Sequence, residues 1–312
     1  MIDLSTNIRG FVLQNPIMPA SGTFDTELSS IIDFNRLGAL VTKTFTADQR
    51  AGNPIPRACE MSNGMLNAIG IPSKGVEYYL NETVPFYQQF NAPLITSISA
   101  NTAADFAQLA SQLNDIEGIK AIEANISCPN IEAHGKAFAM EAESTGKVVK
   151  ALRQATSLPL WVKLTPNTSD IVSVAQAAEA EGADAVIVGN TVLAMAIDIQ
   201  TRRPKLGNIM GGLSGPAIKP IMIRMVYQCY KNINIPIIGC GGISTVEDVV
   251  EYLLAGASAV QVGTMNFIEP AIMTQLIDDL ARFCQQNGIK QISELTGAII
   301  DDQFPALEAL PY

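Results

Sequence analysis

The 312-residue sequence contains few residues of the types that hold metals: one histidine and five cysteines. No two of the cysteines lie within four residues of each other, so the paired spacing of zinc and iron–sulfur sites is missing. A single histidine likewise excludes a histidine-rich metal centre. The odd, scattered set predicts buried free thiols in a reducing compartment, at Cys59, Cys128, Cys229, Cys240 and Cys284.

Long apolar runs and excess positive charge are also absent from the sequence. There is no stretch of 18 apolar residues, and the first ten residues, MIDLSTNIRG, lack the basic-then-apolar pattern of a secretion signal. Lysine and arginine number 20 against 30 acidic residues, and the net charge of −10 argues against a nucleic-acid partner. We therefore expect a soluble cytoplasmic protein.

What the sequence does contain is a series of eight short apolar runs. They are nearly continuous in apolar residues, which is typical of parallel strands covered on both faces. Helical patterns separate most of them: one ends at Gly182, and another has Ser244 as its N-cap and ends at Gly256. This alternation favours an α/β fold of the (β/α)8-barrel type over a doubly wound sheet. The predicted strands span residues 16–22, 39–45, 93–99, 121–127, 159–165, 185–190, 236–242 and 259–264.

Two segments are too long for simple connections between strand and helix, namely residues 46–74 and 191–214. In a barrel, long insertions after strands lie over the C-terminal face, where active sites are built. We predict that both insertions cover this face. No linker or low-complexity tract divides the chain, so we predict one domain over residues 1–312.

The last residues of the predicted strands are polar or glycine, and in a barrel they meet at one mouth. Lys43 and Lys163 are unusual there, because a buried ammonium needs an anionic or strongly accepting partner. The alternative is that both lysines extend to solvent. The other strand-end residues are Ser21, Ser97, Asn125, Asn190, the Gly241–Gly242 pair and the Gly263–Thr264 pair.

The glycine-rich ends of strands seven and eight, GCGGIST and VGTMN, predict a cradle for a phosphate group. Backbone N–H groups approach an anion closely where glycine stands, and the helix after Ser244 adds its N-terminal dipole. Barrels often bind phosphate in these two loops. Either motif alone is compatible with a simple turn.

The stretch EANISCPNIEAHGKAF, residues 123–138, places Cys128 between Asn125 and Asn130 at the end of a strand. A thiolate at a barrel mouth is able to act as a nucleophile or a general base. The alternatives are an inert buried thiol, or a protease-like dyad with His134. No third residue is evident to orient the histidine in such a dyad.

A set of short strings is distributed along the chain: NISCPN, GNPIPR, GMLNAIGI, VKLTPN, GGLSGPAIKPI, GCGGI and VGT. Through these strings the sequence resembles the dihydroorotate dehydrogenase family from about residue 5 to about residue 300. It implies a (β/α)8 barrel that holds FMN at its C-terminal mouth and oxidises dihydroorotate to orotate in pyrimidine (UMP) biosynthesis. The cysteine in SCPN is typical of the soluble class 1 enzymes.

The strings GMLNAIGI and GGLSGPAIKPI are similar to those of subclass 1B. In that subclass the catalytic subunit works with a second subunit that carries FAD and a [2Fe–2S] cluster, and electrons pass to NAD. The resemblance implies such a partner for this chain, around a homodimer core within a heterotetramer.

The resemblance also implies roles for individual residues, with Cys128 as the catalytic base. The residues implied to bind the substrate are Lys43, Asn67, Ala68, Ile69, Gly70, Ile71, Asn125, Asn130, Asn190 and Thr191. Those implied to bind FMN are Ser21, Lys43, Thr44, Ser97, Asn125, Lys163, Gly189, Gly215, Gly241, Gly242, Gly263 and Thr264. The 131–140 loop, which includes His134, is expected to be a lid.

Three positions depart from the subclass 1B pattern. Ser97 stands where asparagine is usual near the flavin, Gly189 where a bulkier aliphatic residue is usual, and Ala196 where arginine is common. The related alternatives to a subclass 1B function are a fumarate-linked class 1A activity and an enzyme like the flavin domain of dihydropyrimidine dehydrogenase. Two more distant ones are a metal-free phosphosugar isomerase or lyase and a non-catalytic flavin-binding module.

Overall fold

Eight parallel strands form the centre of the protein, whose computed structural model describes residues 2–127 and 137–302. Strands that are consecutive along the chain are neighbours in the sheet, and the eighth strand pairs with the first. The Gly38 N–H donates to the Ile17 carbonyl oxygen at 2.8 Å, which joins the first strand to the second and closes the barrel. The predicted (β/α)8 barrel is confirmed. Its strands are β1 (Ile17–Pro19), β2 (Leu40–Val41), β3 (Leu94–Ile98), β4 (Ile119–Asn125), β5 (Leu160–Lys163), β6 (Ala185–Val188), β7 (Ile237–Cys240) and β8 (Ala259–Val262).

Helices cover the outside of the barrel, and one large apolar cluster fills the space between them and the strands. The pattern predicted to end at Gly182 is α5, and Gly182 has the positive φ of +95° typical of a residue that follows a helix. The helices are α1 (Val76–Tyr78), α2 (Val84–Tyr87), α3 (Ala103–Ser111), α4 (Ala142–Ala155), α5 (Ile171–Ala180), α6 (Lys219–Tyr230), α7 (Val246–Leu254), α8 (Met265–Ile268) and α9 (Ile272–Gln286). A π-helical turn, Tyr79–Thr83, joins α1 to α2.

The N-terminus of α7 begins one residue later than the sequence predicted. Thr245, and not Ser244, is the N-cap: its Oγ1 accepts from Asp248 N at 3.4 Å. Asp248 Oδ2 accepts in return from Ser244 N at 2.7 Å and Thr245 N at 2.9 Å. Thr245 with Asp248 and Ser244 with Glu247 both have the spacing of a capping box, so the local sequence pattern does not distinguish them.

An N-terminal hairpin closes the end of the barrel away from the predicted mouth. Its strands, Thr6–Ile8 and Phe11–Leu13, precede β1, and Ile8 and Leu13 are buried in the apolar cluster that fills the barrel interior. Phe11 contacts Trp161 of that cluster edge-on, with ring centroids 5.9 Å apart. One end of the barrel is therefore plugged by apolar side chains, which leaves the other end for chemistry.

The two long insertions, predicted only as coverings of the mouth, join in one antiparallel sheet. Its four strands, in spatial order, are Val192–Met195, Met210–Ser214, Gly64–Asn67 and Ala58–Met61. Two short pairs extend the insertions: Gln49–Arg50 with Ser73–Lys74, and Ile197–Asp198 with Arg203–Pro204. Ala196 is buried with Leu66 and Leu206 in a small apolar cluster, an environment that suits alanine better than the charged arginine that is common in the family.

Buried thiols were expected, and Cys229, Cys240 and Cys284 are buried and free, whereas Cys59 is only partly buried. Burial raises the pKa of Cys229 to about 12, so this thiol is unreactive. No helix within residues 2–127 and 137–302 is long and apolar enough to cross a membrane.

Candidate active site

Polar side chains cross the barrel interior below the mouth. Glu123 on β4 accepts a hydrogen bond from Gln261 Nε2 on β8 at 2.6 Å. Since β4 and β8 are not neighbours in the sheet, this bond spans the inside of the barrel. Lys163, at the end of β5, donates to Gln261 Oε1 at 2.8 Å and to Ser21 Oγ at 3.4 Å. Lys163 is 3% exposed and lies 3.9 Å from Glu123 Oε1, so it does not extend to solvent.

A second set of polar contacts joins the ends of β2, β3, β4 and β6. Ser97 Oγ donates to Glu123 Oε1 at 2.9 Å and lies 2.8 Å from Thr44 Oγ1. Thr44 Oγ1 also accepts from Asn125 Nδ2 at 3.2 Å. Asn125 Oδ1 accepts from Ser127 Oγ at 2.5 Å, and Ser127 Oγ accepts from Asn190 Nδ2. Four residues predicted at the mouth from separate strands are thus in one network.

Lys43 follows β2 and is half-buried. Burial lowers the pKa of Lys43 from its ordinary value; Asp25 opposes this shift and Arg57 adds to it. Among the described residues, no carboxylate lies within 4.0 Å of its ammonium. A partly desolvated lysine without a close counter-ion is suited to binding an anionic ligand.

The glycine loops predicted as a phosphate cradle come together in space. Gly215, Gly241 and Gly242 have φ values of +97°, +126° and +74°, which only glycine adopts readily. A Cβ at Gly242 would lie 3.0 Å from the Gly215 carbonyl oxygen, so the two loops touch. Thr264 Oγ1 donates to Ser214 Oγ at 2.8 Å, which brings the end of β8 to the same place.

An unpartnered polar atom lies beside these loops. Ser244 Oγ is buried and has no hydrogen-bond partner within the described part of the chain. The N–H groups of Ser244 and Thr245, by contrast, already donate to Asp248. These two N–H groups are therefore not free to bind an anion, and the predicted contribution of the helix dipole, the glycine loops and the Ser244 hydroxyl stays a prediction.

Gly189 has a backbone that explains its departure from the family pattern. Its φ is +137°, and a Cβ there would lie 1.9 Å from the carbonyl oxygen of Cys240. An aliphatic residue at this position requires β6 and β7 to end differently. Ser97, the other departure at the mouth, is fully buried, and both of its hydrogen-bond partners, Glu123 and Thr44, belong to the protein.

The segment Asn67 to Ile71, predicted to bind the substrate, lies where the two insertions meet. Asn67 pairs with Gly212 across the sheet, and its Nδ2 donates to the Gly212 carbonyl oxygen at 3.4 Å. Gly70 and Ile71 have φ values of +79° and +47°. A β-branched residue in the left-handed region is strained, and such strain is concentrated at ligand-binding segments.

Two asparagines outside the predicted set, Asn167 and Asn53, hold the remaining predicted substrate residues. Thr191 N donates to Asn190 Oδ1 at 2.8 Å, which fixes the amide of Asn190. The Thr191 carbonyl oxygen accepts from Asn167 Nδ2 at 3.0 Å. Ala68 and Ile69 are held through their carbonyl oxygens, which accept from Asn53 Nδ2 at 3.2 Å and Asn53 N at 3.0 Å.

Cys128, Asn130 and His134 lie outside the described residues, as does most of the 131–140 loop. Their roles stay predictions. Ser127, immediately before Cys128, bonds to Asn125 and Asn190.

Sequence reasoning missed three members of the network: Glu123, Gln261 and Ser127. A signal was present, since Glu123 and Gln261 are polar residues inside strands that are otherwise apolar, in AIEAN and AVQVG. A charged residue within a strand buried on both faces needs a partner in the interior.

The fold and the site define a (β/α)8-barrel protein whose mouth is lined with lysine and amide side chains. The family model for dihydroorotate dehydrogenase matches residues 3–284. The chain belongs to the dihydroorotate dehydrogenase family and is an FMN-dependent oxidoreductase.

Relatives of known name agree with this assignment. The chain is 47% identical over 300 residues to the dihydroorotate dehydrogenase B (NAD(+)) catalytic subunit of Listeria innocua, which covers 96% of this chain and 99% of the relative. The subunit of the same name from Bacteroides fragilis is 46% identical over 301 residues, with 96% and 99% covered. In structure, the chain is similar to a dihydroorotate dehydrogenase of Eimeria tenella solved with ferulenol, with a TM-score of 0.77 and 23% identity over 97% of this chain and 89% of the other. That likeness supports the barrel fold.

Proposed function

We propose that the chain is the catalytic subunit of a dihydroorotate dehydrogenase that passes electrons to NAD through a partner subunit. The observation that carries this proposal is the convergence of Lys43, Asn125, Asn190 and the buried Lys163 on one barrel mouth. Lysine binds a carboxylate, and neutral amides match the amide edges of a pyrimidine ring. The names of the Listeria and Bacteroides relatives support NAD as the final acceptor.

The residues at the mouth fit FMN. The loops at Gly215, Gly241–Gly242 and Gly263–Thr264, with the unpartnered Ser244 hydroxyl, would hold the phosphate. Lys163 would place a positive charge beside the flavin ring, together with Ser21 and Asn125. The further residues assigned to FMN are Lys43, Thr44 and Gly189. Ser97, which was predicted among them, is fully buried and would act by holding Thr44. When bound, FMN accepts the hydride that leaves C6 of the substrate.

The chain's own residues would bind the substrate and remove its other hydrogen. Lys43 would bind the carboxylate, while Asn67, Asn125, Asn130 and Asn190 orient the ring, with Ala68 to Ile71 and Thr191 completing the pocket. Cys128 would take the proton from C5. A thiol with an ordinary pKa near ~8.5 is able to act near neutral pH without a histidine.

Replacement of Cys128 by alanine tests this function. We expect orotate to bind almost normally and the reduction of bound FMN by dihydroorotate to slow by roughly 10²-fold or more, because the general base is lost. Anaerobic stopped-flow spectroscopy of the flavin band measures this rate. The control is His134→Ala, which should cost little. Reduction at the parent rate in Cys128→Ala would remove the base from the mechanism.

Ligand preference separates this function from its rivals. Orotate should perturb the flavin spectrum where uracil does not, whereas a dihydropyrimidine dehydrogenase-like enzyme would respond to uracil. Failure of dihydroorotate to bleach the flavin would indicate a binding module. A colourless purified protein would indicate an isomerase or lyase.

The proposed partner carries FAD and a [2Fe–2S] cluster and sits around a homodimer of this chain in the cytoplasm. The insertion after β6 exposes large apolar side chains, among them Leu193, Ile197 and Ile199. Clustered exposed apolar residues are typical of protein contact surfaces. This supports a protein acceptor rather than a small molecule such as fumarate.

A further inference from the structure

Glu123 is a carboxylate with no exposed surface, and the roles assigned above leave it unexplained. Its Oε1 accepts from Ser97 Oγ at 2.9 Å, and its Oε2 accepts from Gln261 Nε2 at 2.6 Å. A buried carboxylate requires both compensation of its charge and hydrogen bonds to its oxygens. The hydrogen bonds are present, so the compensating charge has to be identified.

Lys163 supplies that charge. Its ammonium lies 3.9 Å from Glu123 Oε1, and among the described residues no other carboxylate lies within 4.0 Å of it. Gln261 bridges the two groups, since its Oε1 accepts from Lys163 and its Nε2 donates to Glu123. The amide thus presents its acceptor to the cation and its donor to the anion, the arrangement that suits both charges. All three side chains are buried, so water does not weaken the interaction.

Glu123 also sets the direction of the hydrogen bonds that reach the substrate side of the mouth. A carboxylate only accepts, so the single Ser97 hydroxyl proton is committed to Glu123. Ser97 Oγ must then accept from Thr44, and Thr44 Oγ1 accepts from Asn125 Nδ2. This series of hydrogen bonds orients the Asn125 amide, with its nitrogen toward Thr44 and its oxygen toward Ser127.

We propose that Glu123 is a positioning residue that acts on the flavin site through Lys163 and on the substrate site through Asn125. The proposal rests on the function proposed above, because that function places Lys163 beside the flavin and Asn125 against the substrate. Glu123 itself is too deeply buried to contact either ligand. Gln261 is the bridge that keeps Lys163 and Glu123 in fixed relation.

The charge relation is tested by the midpoint potential of bound FMN in Glu123→Gln. The substitution keeps the shape of the side chain and removes its charge, so Lys163 acts on the flavin uncompensated. We expect the midpoint potential to become more positive than that of the parent. Lys163→Gln should move it in the opposite direction, and the double variant should return it toward the parent value. An unchanged midpoint potential in E123Q with FMN bound would overturn the proposal that Glu123 compensates the charge of Lys163 beside the flavin.

A folding measurement covers the case in which a single variant does not fold. If Glu123 and Lys163 compensate each other, each single variant leaves a buried charge unpaired, whereas the double variant leaves none. The double variant should therefore have a higher thermal midpoint than either single variant. Additive loss of stability would assign Glu123 a packing role and overturn the proposal.

The orientation of Asn125 is tested by Ser97→Ala, with Ser99→Ala as the matched control. Both hydroxyls are buried at the end of β3, but among the described residues Ser99 Oγ donates a hydrogen bond only to the backbone carbonyl oxygen of Asn125, at 3.3 Å. Ser97→Ala should weaken orotate binding about 3- to 10-fold relative to Ser99→Ala. Equal affinities in the two variants would overturn this half of the proposal. Bleaching of the parent flavin by dihydroorotate tests the underlying function separately.

Discussion

At the scale of single residues, the two strand-end lysines have opposite environments. Lys163 is buried against a carboxylate, whereas Lys43 is half-buried and has no close counter-ion among the described residues. Lys163 has its carboxylate partner inside the protein, whereas Lys43 is left to pair with an anion that binds at the mouth. This difference supports the proposal that Lys163 acts on the cofactor and that Lys43, besides its proposed contact with FMN, binds the substrate carboxylate.

A pH titration of orotate binding tests the assignment of Lys43. Only the protonated lysine attracts the carboxylate, so binding is strong below the pKa of Lys43 and is lost as the pH rises through it. Because burial lowers this pKa from its ordinary value of about 10.4, the loss should begin at a lower pH than for an exposed lysine. Spectral titration from about pH 7 to about pH 10 measures the dissociation constant.

Lys43→Met is the control for that titration. It should bind orotate about 10-fold or more weakly at neutral pH, and its remaining pH dependence reports the other groups and the ligand itself. If the dissociation constant of orotate changed with pH in the same way in the parent and in Lys43→Met, Lys43 would not be the group whose titration controls binding.

At the scale of elements, the loops after β7 and β8, which are proposed to bind the phosphate, contain two kinds of glycine. At Gly242 a Cβ would lie 2.9 Å from the backbone nitrogen of Lys219, so any side chain disturbs the loop. At Gly263 a Cβ would make only ordinary contacts, at 3.5 Å to Ala20 and 3.8 Å to Thr23. At Gly263, the effect of adding a negative charge can therefore be measured without steric strain from the added side chain.

The pair Gly263→Asp and Gly263→Ala uses this difference. Both should fold as the parent does, but the aspartate would stand beside the phosphate and should weaken FMN binding about 10²-fold relative to alanine, through repulsion of like charges. Fluorescence titration of the apoprotein with FMN gives both constants. Parent-like affinity in the aspartate variant would place the phosphate elsewhere.

At the scale of the whole molecule, we propose that the electrons leave through another protein and not through a small acceptor. The sequence has no cysteine spacing for an iron–sulfur cluster and no GxGxxG fingerprint after a strand for NAD. With dihydroorotate, the isolated chain should reduce artificial dyes and fail to reduce NAD. Addition of the FAD and iron–sulfur partner should restore NAD reduction, as measured by absorbance of NADH. Efficient fumarate reduction by the chain alone would instead favour class 1A.

The sequence by itself determined the features that depend on neighbours along the chain. Apolar runs covered on both faces predicted all eight barrel strands, and glycines such as Gly182 marked helix ends, because strand burial and positive φ leave a local trace. The strand-end residues of the mouth followed from the same runs. The cap of α7 was misplaced by one residue because Ser244 and Thr245 are equivalent in local pattern.

Only the tertiary structure decided which residues meet across the barrel. Glu123 and Gln261 are 138 positions apart, and they bond because closure of the barrel brings β4 opposite β8. The pairing of Asn67 with Gly212 likewise depends on two insertions folding onto one another. Such contacts are set by the register and curvature of the closed sheet, to which every strand contributes, and no single stretch of sequence contains that information.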